Sequence, residues 1–302
     1  LRTILKNISF CKKDILEFNP DKIIFVDYPG FNMRIAKWSK KYKFQTIYYI
    51  APQLWAWNEK RIKKIKKYID SLYVILPFEK EFFETKHKYP VKFLGHPLLD
   101  SISNFKKNYD SSSEQIITNK KAVIAILPGS RKQEIKKILN TVIKIVDYFP
   151  DHQFIVAGAP NIELSYYKSI LKNKKIKVIE NKTYEILSIS TAAIVTSGTA
   201  TLETALFKVP QVVCYKSSYF SYFIAKLIVN IKYISLVNLI MDQQIVKELI
   251  QQDCNKDKIR NELEKILDLN NKKSLQIKYD ELTSILGNSG TSKRVALDII
   301  KK

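Results

Sequence analysis

Metal ligands, disulfide partners and acidic residues are all scarce in this 302-residue chain. Its three cysteines, Cys11, Cys214 and Cys254, lie far apart and form no Cys-x-x-Cys pair, which excludes a disulfide framework and fits a reducing compartment. His87, His96 and His152 show no metal-ligand spacing, so no metal site is expected. No Asp-x-Asp pair occurs, which argues against a metal-bound nucleotide sugar. No apolar run reaches about 18 residues, so no transmembrane helix is expected. The first residues are mixed and carry Lys6, Lys12 and Lys13, so they do not read as a signal peptide. Neither a P-loop nor a Gly-x-Gly-x-x-Gly fingerprint is present. No internal repeat is visible.

Asp and Glu total 29 against 51 for Lys and Arg, a net charge of +22. Such an excess suits nucleic acid, an anionic membrane surface or an anionic substrate. AT-rich codons, which favour the abundant Lys, Ile, Asn and Tyr, account for part of it. No basic strand interleaved with aromatics stands out, so nucleic acid is not expected as a partner.

What is present is strand–helix alternation. Ala122 to Leu127 is a continuous branched apolar run, the pattern of a strand buried on both faces. Ile135, Ile138, Leu139, Val142, Ile145, Val146 and Phe149 then recur at helical spacing. Pro128-Gly129-Ser130-Arg131 is therefore a strand-to-helix turn, where free N–H groups and a guanidinium suit a phosphate. An ordinary turn with a solvated Arg is the alternative. Ser197-Gly198-Thr199, between the strand 192–196 and a further helix, is a second turn of this type. Two such turns in one parallel sheet suit a diphosphate. Glu203, about one turn beyond Thr199, suits ribose hydroxyls or is simply a solvated helix residue. Asn238 either caps a helix or contacts the ligand.

The first part of the chain alternates in the same way. A helix is expected over 4–18, with Ile4, Leu5, Ile8, Ile15, Leu16 and Phe18 inward. Strands follow at 23–26, 44–50, 72–76 and 91–94, with a basic helix at 58–68. Asp27, the Trp55-Ala56-Trp57 loop and Gly95-His96-Pro97 stand at strand ends, where ligands bind in open α/β sheets. Asp27 is the candidate general base, or else a loop cap. His96 is a second base candidate, or a turn residue. Residues 217–229, aromatic and apolar, read as a lipid-facing surface or a core helix. The basic helix reads as a lipid-headgroup contact or a solvated face. The last third is expected to be helical. The fold class is thus α/β: residues 1–103 as a first Rossmann-like domain, 104–119 as a linker, and 120–285 as a second such domain. The helix near 286–302 is expected to pack back on the first domain.

In order, the chain carries Val26-Asp27-Tyr28-Pro29-Gly30-Phe31-Asn32, Ala51-Pro52-Gln53-Leu54-Trp55-Ala56-Trp57, Leu76-Pro77-Phe78-Glu79-Lys80 and Phe93-Leu94-Gly95-His96-Pro97. It continues with Leu127-Pro128-Gly129-Ser130-Arg131, Ser197 to Glu203 and Asn238-Leu239-Ile240. In these motifs it resembles the bacterial lipid-A-disaccharide synthases, glycosyltransferases of the GT-B type with two Rossmann-like domains. The resemblance implies condensation of UDP-2,3-diacylglucosamine with 2,3-diacylglucosamine 1-phosphate into a β-1′,6-linked disaccharide and UDP. It implies Asp27 as base and Gly129, Ser130, Arg131, Ser197, Gly198 and Thr199 at the diphosphate. Glu203 falls to the ribose and Asn238 near the phosphates. Glu248 and Gln251 match a further family pattern. The resemblance implies no cofactor, a cytoplasmic enzyme resting on anionic lipids of the inner membrane, and leaves room for a homodimer. Family members begin with a strand and a Gly-Glu-x-Ser-Gly-Asp loop that these residues lack. The first domain is therefore expected to be incomplete at its N-terminal side. A non-catalytic UDP- or membrane-binding relative, and another GT-B UDP-sugar enzyme such as an epimerase, remain alternatives.

Overall fold

The computed structural model describes residues 2–109, 121–172, 174, 176–217 and 231–301. Two compact units emerge: one from Leu1–Asp100 with Leu286–Lys302, the other from Ser101–Lys226 with Ile231–Ile285.

The first unit holds a four-stranded parallel sheet in the order β1-β2-β3-β4. Its strands are β1 (Lys22–Val26), β2 (Gln45–Tyr49), β3 (Ser71–Val74) and β4 (Lys92–Phe93). Helices α1 (Arg2–Phe18), α2 (Pro29–Ser39), α3 (Ile62–Tyr68) and α4 (Pro77–Glu81) intervene. Phe25, Ile35, Ala36, Tyr48, Ile65, Leu72 and Phe83 form the centre of its core. The helix expected over 4–18 forms, but only Ile8 of its expected inner set is buried, and Phe18 is 80% exposed. β1 alternates between faces, with Ile23 and Phe25 buried and Ile24 and Val26 48% and 51% exposed on the other side. The basic segment expected as one helix is a 3₁₀ turn at Glu59–Arg61 followed by α3.

The second unit is built on a six-stranded sheet, parallel throughout, in the order β10-β9-β8-β5-β6-β7. Its strands are β5 (Ala122–Leu127), β6 (His152–Gly158), β7 (Lys177–Glu180), β8 (Ser190–Thr196), β9 (Gln211–Tyr215) and β10 (Lys247–Ile250). α5 (Leu98–Asn108) leads into it, and α6 (Lys132–Val142), α7 (Leu164–Leu171), α8 (Thr183–Ser188) and α9 (Thr199–Leu206) alternate with the strands. α10 (Leu236–Met241), α11 (Lys256–Leu267) and α12 (Leu269–Leu286) follow. From Val123 to Leu127, β5 is buried on both faces, as a continuous apolar run in a parallel sheet requires. Ile135, Ile138, Leu139 and Val142 of α6 cover one face. Ile186, Leu187 and Val209, with Ala200 and Phe207 beside them, cover the other.

Two expectations give way here. Residues 104–108, expected in a linker, are helical, because α5 buries Ile102 and packs Phe105 on Tyr184 and Phe207. The last third is not wholly helical: β10 pairs with β9 as an edge strand. Lys247-Glu248-Leu249-Ile250 is short and half polar, a pattern with no strand signal of its own, and an edge position tolerates it. Residues 110–119 and 218–229 lie outside the described residues.

The terminal helix α13 (Thr291–Ile300) completes the first unit. Val295 and Ile299 pack against Ile47 and Tyr73. Tyr73 donates its O–H to Asp298 at 2.5 Å, Lys92 pairs with the same carboxylate, and Lys22 Nζ donates to the Ile299 carbonyl at 2.5 Å. Asp100 receives the N–H groups of Gly290 (2.5 Å), Thr291 (3.1 Å) and Ser292 (2.7 Å), and so caps α13 from a distant part of the chain. Burial works upward on the Asp100 carboxyl, but the three N–H donors win and hold it below the usual range. Its stabilising share is therefore present above the ordinary carboxylate range and lost as pH falls through it. Asp100→Ala is expected to cost about 0.5–2 kcal/mol at pH 7 and less at low pH, measured by urea unfolding at both.

Candidate functional site

The second unit contains one cavity where two strand-to-helix turns meet. β5 pairs directly with β8, with Leu127 opposite Val195, so the chain leaves both strands side by side. Its volume is about 510 Å³, and Gly129, Ser130, Arg131, Ser197, Gly198, Thr199 and Glu203 all contribute to its wall. Thr196, Glu134, Thr183 and the Gly158-Ala159-Pro160 turn after β6 complete it.

The N-termini of α6 and α9 open here, and neither carries a side-chain cap. By contrast α10 is capped by Ser235 and α11 by Asn255. Uncapped first-turn N–H groups and roughly half a positive charge at each helix end make the cavity attractive to an anion. Gly129 has φ 98°, a left-handed conformation that strains any residue with a Cβ, and a Cβ there would also push Glu134 Oε2 aside from 2.8 Å. Gly198, at φ 147°, leaves open space where a side chain would stand. Thr196 lies in the cavity wall and is 6% exposed, and among the described residues its buried hydroxyl has no hydrogen-bond partner. Arg131 projects into solvent and pairs with Glu134 at 2.8 Å. That exposed pair is weak enough to yield the guanidinium to a phosphate. Glu203 is half-buried in the wall, and its Oε1 accepts the Tyr184 hydroxyl at 2.9 Å. Burial raises its pKa, while the Tyr184 hydrogen bond opposes that.

Asn238, expected near the phosphates, is not in the wall. It is fully buried, its Oδ1 accepts Ile245 N (2.8 Å) and Val246 N (2.9 Å), and its Nδ2 donates to Val246 O (2.9 Å) and Glu248 Oε1 (2.8 Å). Glu248 also receives the N–H groups of Ile234 (3.0 Å) and Ser235 (2.9 Å). The Ser197 hydroxyl donates to Ile234 O at 2.7 Å, so Glu248 reaches the second turn through Ile234, and Asn238 reaches it through Glu248. Gln251 sits near this network and accepts Ser217 N at 2.9 Å. A larger groove of about 700 Å³ lies along β10 and α11, but two of its three lysines pair with its own acids, Lys258 with Asp253 and Lys265 with Glu262.

In the first unit, Asp27 and Tyr28 at the end of β1 both adopt left-handed backbone (φ 45° and 42°). Such residues cost about 1 kcal/mol or more each and persist where surroundings fix them. Here Tyr48 O–H (2.6 Å) and Asn32 Nδ2 (2.7 Å) both donate to the Asp27 carbonyl. The Asp27 residue is exposed, and among the described residues its carboxylate makes no hydrogen bond or ion pair. At the end of β2, Trp55 Nε1 donates to Glu79 Oε1 at 3.1 Å and its ring meets Phe78 edge-on. Trp57 is exposed, with Arg61 over its ring at 4.5 Å. His96 is buried, its Nδ1 accepts Leu98 N at 3.2 Å, and burial lowers its pKa to about 4. It is a neutral turn residue where the terminal segment joins the unit, and its backbone N–H donates to Leu286 O at 3.1 Å. Among the described residues no cluster of His, Cys, Asp or Glu suits a metal ion, and no helix is long and apolar enough to cross a membrane.

A family model for lipid-A-disaccharide synthetase matches residues 1–297. The chain belongs to the lipid-A-disaccharide synthase family. The synthase of Coxiella burnetii (strain Dugway 5J108-111) is 36% identical over 300 residues, 98% of this chain and 79% of the relative. That of Persephonella marina is 36% identical over 304 residues, covering 96% and 79%. Lipid-A-disaccharide synthase 1 of Legionella pneumophila (strain Lens) is 38% identical over 262 residues, covering 84% and 68%. In fold the chain is similar to UDP-GlcNAc 2-epimerase from Neisseria meningitidis bound to UDP-GlcNAc (TM-score 0.70, 14% identity, 99% of this chain and 81% of that one). It is also similar to the calicheamicin glycosyltransferase CalG4 (TM-score 0.61, 12% identity, 99% and 80%). The architecture is of the GT-B type. As a member of the lipid-A-disaccharide synthase family, the chain is a glycosyltransferase of lipid A biosynthesis, with UDP-sugar and lipid-linked sugar as substrate classes.

Residue-level reading missed Tyr48, Asn32 and Glu79 as supports of the first unit's loops. Tyr48 looked like any strand aromatic, and nothing in Pro-Phe-Glu signals a buried acid. Glu79 is 1% exposed, and its other oxygen accepts Ile75 N (3.2 Å) and Leu76 N (3.0 Å). Burial pushes its pKa up to about 7, against the pull of the Leu76, Trp55 and Ile75 N–H donors. A raised acid pKa means that the folded state holds a proton the unfolded state has lost, so this group's contribution falls as pH rises from its ordinary value to about 7. Glu79→Gln is therefore expected to destabilise the protein more at pH 5 than at pH 8, measured by denaturant unfolding.

Proposed function

We propose that this chain transfers 2,3-diacylglucosamine from UDP to the 6-hydroxyl of 2,3-diacylglucosamine 1-phosphate, with inversion at the anomeric carbon. The observation that carries the reading is the cavity with two uncapped helix N-termini, an exposed guanidinium held only by Glu134 and a carboxylate one turn into α9. Asp27 takes the proton of the acceptor hydroxyl, whose oxygen attacks the anomeric carbon from the face opposite UDP. The bond from that carbon to the diphosphate oxygen breaks, and its electron pair leaves with UDP. The α6 and α9 N-termini and Arg131 stabilise the charge that develops on the leaving diphosphate. Glu203 receives the ribose hydroxyls. An exposed, unpaired carboxylate held by its own backbone is what a general base at Asp27 needs.

The acceptor is a glycolipid, so the reaction belongs at the cytoplasmic surface of the inner membrane. The net charge of +22 and the exposed Trp57 with Arg61 above it support such a surface contact.

Asp27→Ala is expected to lower disaccharide formation by about 10²–10⁴-fold with UDP affinity unchanged, read by product analysis with both diacylated substrates and by calorimetry. Normal turnover of that variant removes Asp27 as base. Arg131→Ala is expected to weaken UDP binding about tenfold in the same titration, and unchanged affinity removes Arg131 from the diphosphate site.

A further inference from the structure

Tyr184 adjoins the cavity through Thr183 and Glu203 of its wall, and none of the roles above uses it. It lies in the first turn of α8, next to Thr183, which is in the cavity wall. Its ring meets Phe105 edge-on (5.5 Å, 78°) and Phe207 at a tilt (5.1 Å, 48°). Those two rings also touch each other at 5.7 Å. The phenol thus has a fixed seat, and its hydroxyl a fixed direction. That direction ends on Glu203 Oε1 at 2.9 Å.

A glutamate side chain has three rotatable bonds, and holding it in one rotamer on ligand binding costs free energy. A hydrogen bond made before the ligand arrives removes much of that cost. It also decides which way the second oxygen of the carboxylate turns. We propose that Tyr184 is a positioning residue that locks the Glu203 carboxylate towards the vicinal ribose hydroxyls of a uridine nucleotide, and so sets the preference for ribose over 2′-deoxyribose. The inference rests on the reading of this cavity as the UDP site. A site built to bond a hydroxyl rejects the analogue that lacks it, because its own polar atoms are then left unmatched. That rejection is sharp only if the carboxylate cannot turn away, and Tyr184 holds it.

The test is a binding titration of UDP and 2′-deoxy-UDP against the wild-type chain, Tyr184→Phe, Glu203→Ala and the double variant, with melting curves to verify folding. The wild type is expected to prefer UDP. Tyr184→Phe keeps the aromatic seat and is expected to lose about fivefold to tenfold in UDP affinity, with a smaller loss for 2′-deoxy-UDP, so the ratio narrows. In Glu203→Ala the preference is gone, and adding Tyr184→Phe changes the ratio no further. An unchanged ratio in Tyr184→Phe, or an equal loss for both nucleotides, overturns the positioning role and leaves the UDP site standing. Failure of the wild type to bind either nucleotide overturns the UDP assignment, and the inference with it.

Discussion

Direct pairing of β5 with β8 is the constraint on which the second unit's site depends. From β5 the chain runs to β6 and β7 on one side, then returns to lay β8, β9 and β10 on the other. Helices after β5 and β8 therefore cover opposite faces of the sheet, and their first turns diverge from one point. A crevice opens there because no chain crosses it, which is why doubly wound sheets bind ligands where strand order reverses. The two strands lie about 4.8 Å apart, so both helix ends can face one diphosphate. Five consecutive buried residues of β5 hold that spacing, and a slip in register would move them out of the core.

The loops above the sheet are supported by polar groups that belong to neither turn. Asn238 satisfies four partners at once in a fully buried position, and Glu248 links it to the segment that receives the Ser197 hydroxyl. Polar networks of this kind hold geometry because any half-satisfied state leaves a desolvated donor or acceptor. The cavity itself follows the opposite rule: among the described residues, the two helix N-termini that open on it have no side-chain cap. Contrast between a saturated support and an unsaturated surface marks the site more clearly than its volume, since the groove along β10 is larger.

Much of the fold could be read from the sequence because parallel strands are long apolar runs and their helices have regular stripes. β5 and α6 are the clearest case. What could not be read depended on tertiary context. β10 has almost no apolar pattern, and only its place beside β9 makes it a strand. α1 has the expected period, yet most of its apolar side chains face outward. In the cavity, small residues at two turns and an acid one turn later were legible by spacing alone. Asn238 was not, because an amide that binds phosphate and one that knits a loop have the same letter and the same neighbours. Glu79 and Tyr184 were invisible for a related reason: their importance comes from a partner far away in sequence, Trp55 for one and Glu203 for the other.

The first unit is discontinuous, and this shapes how the chain can be made. Its closing contacts join residues more than 200 positions apart, as Tyr73 to Asp298 and Lys22 to Ile299 show. On the ribosome, Ile47 and Tyr73 emerge long before Val295 and Ile299 exist to cover them. The second unit, whose segments all precede Leu286, can collapse while the first still waits for its last helix. An apolar face that stays uncovered through most of synthesis is a natural client for a chaperone. Any stop codon that removes α13 would leave that face open for the life of the molecule.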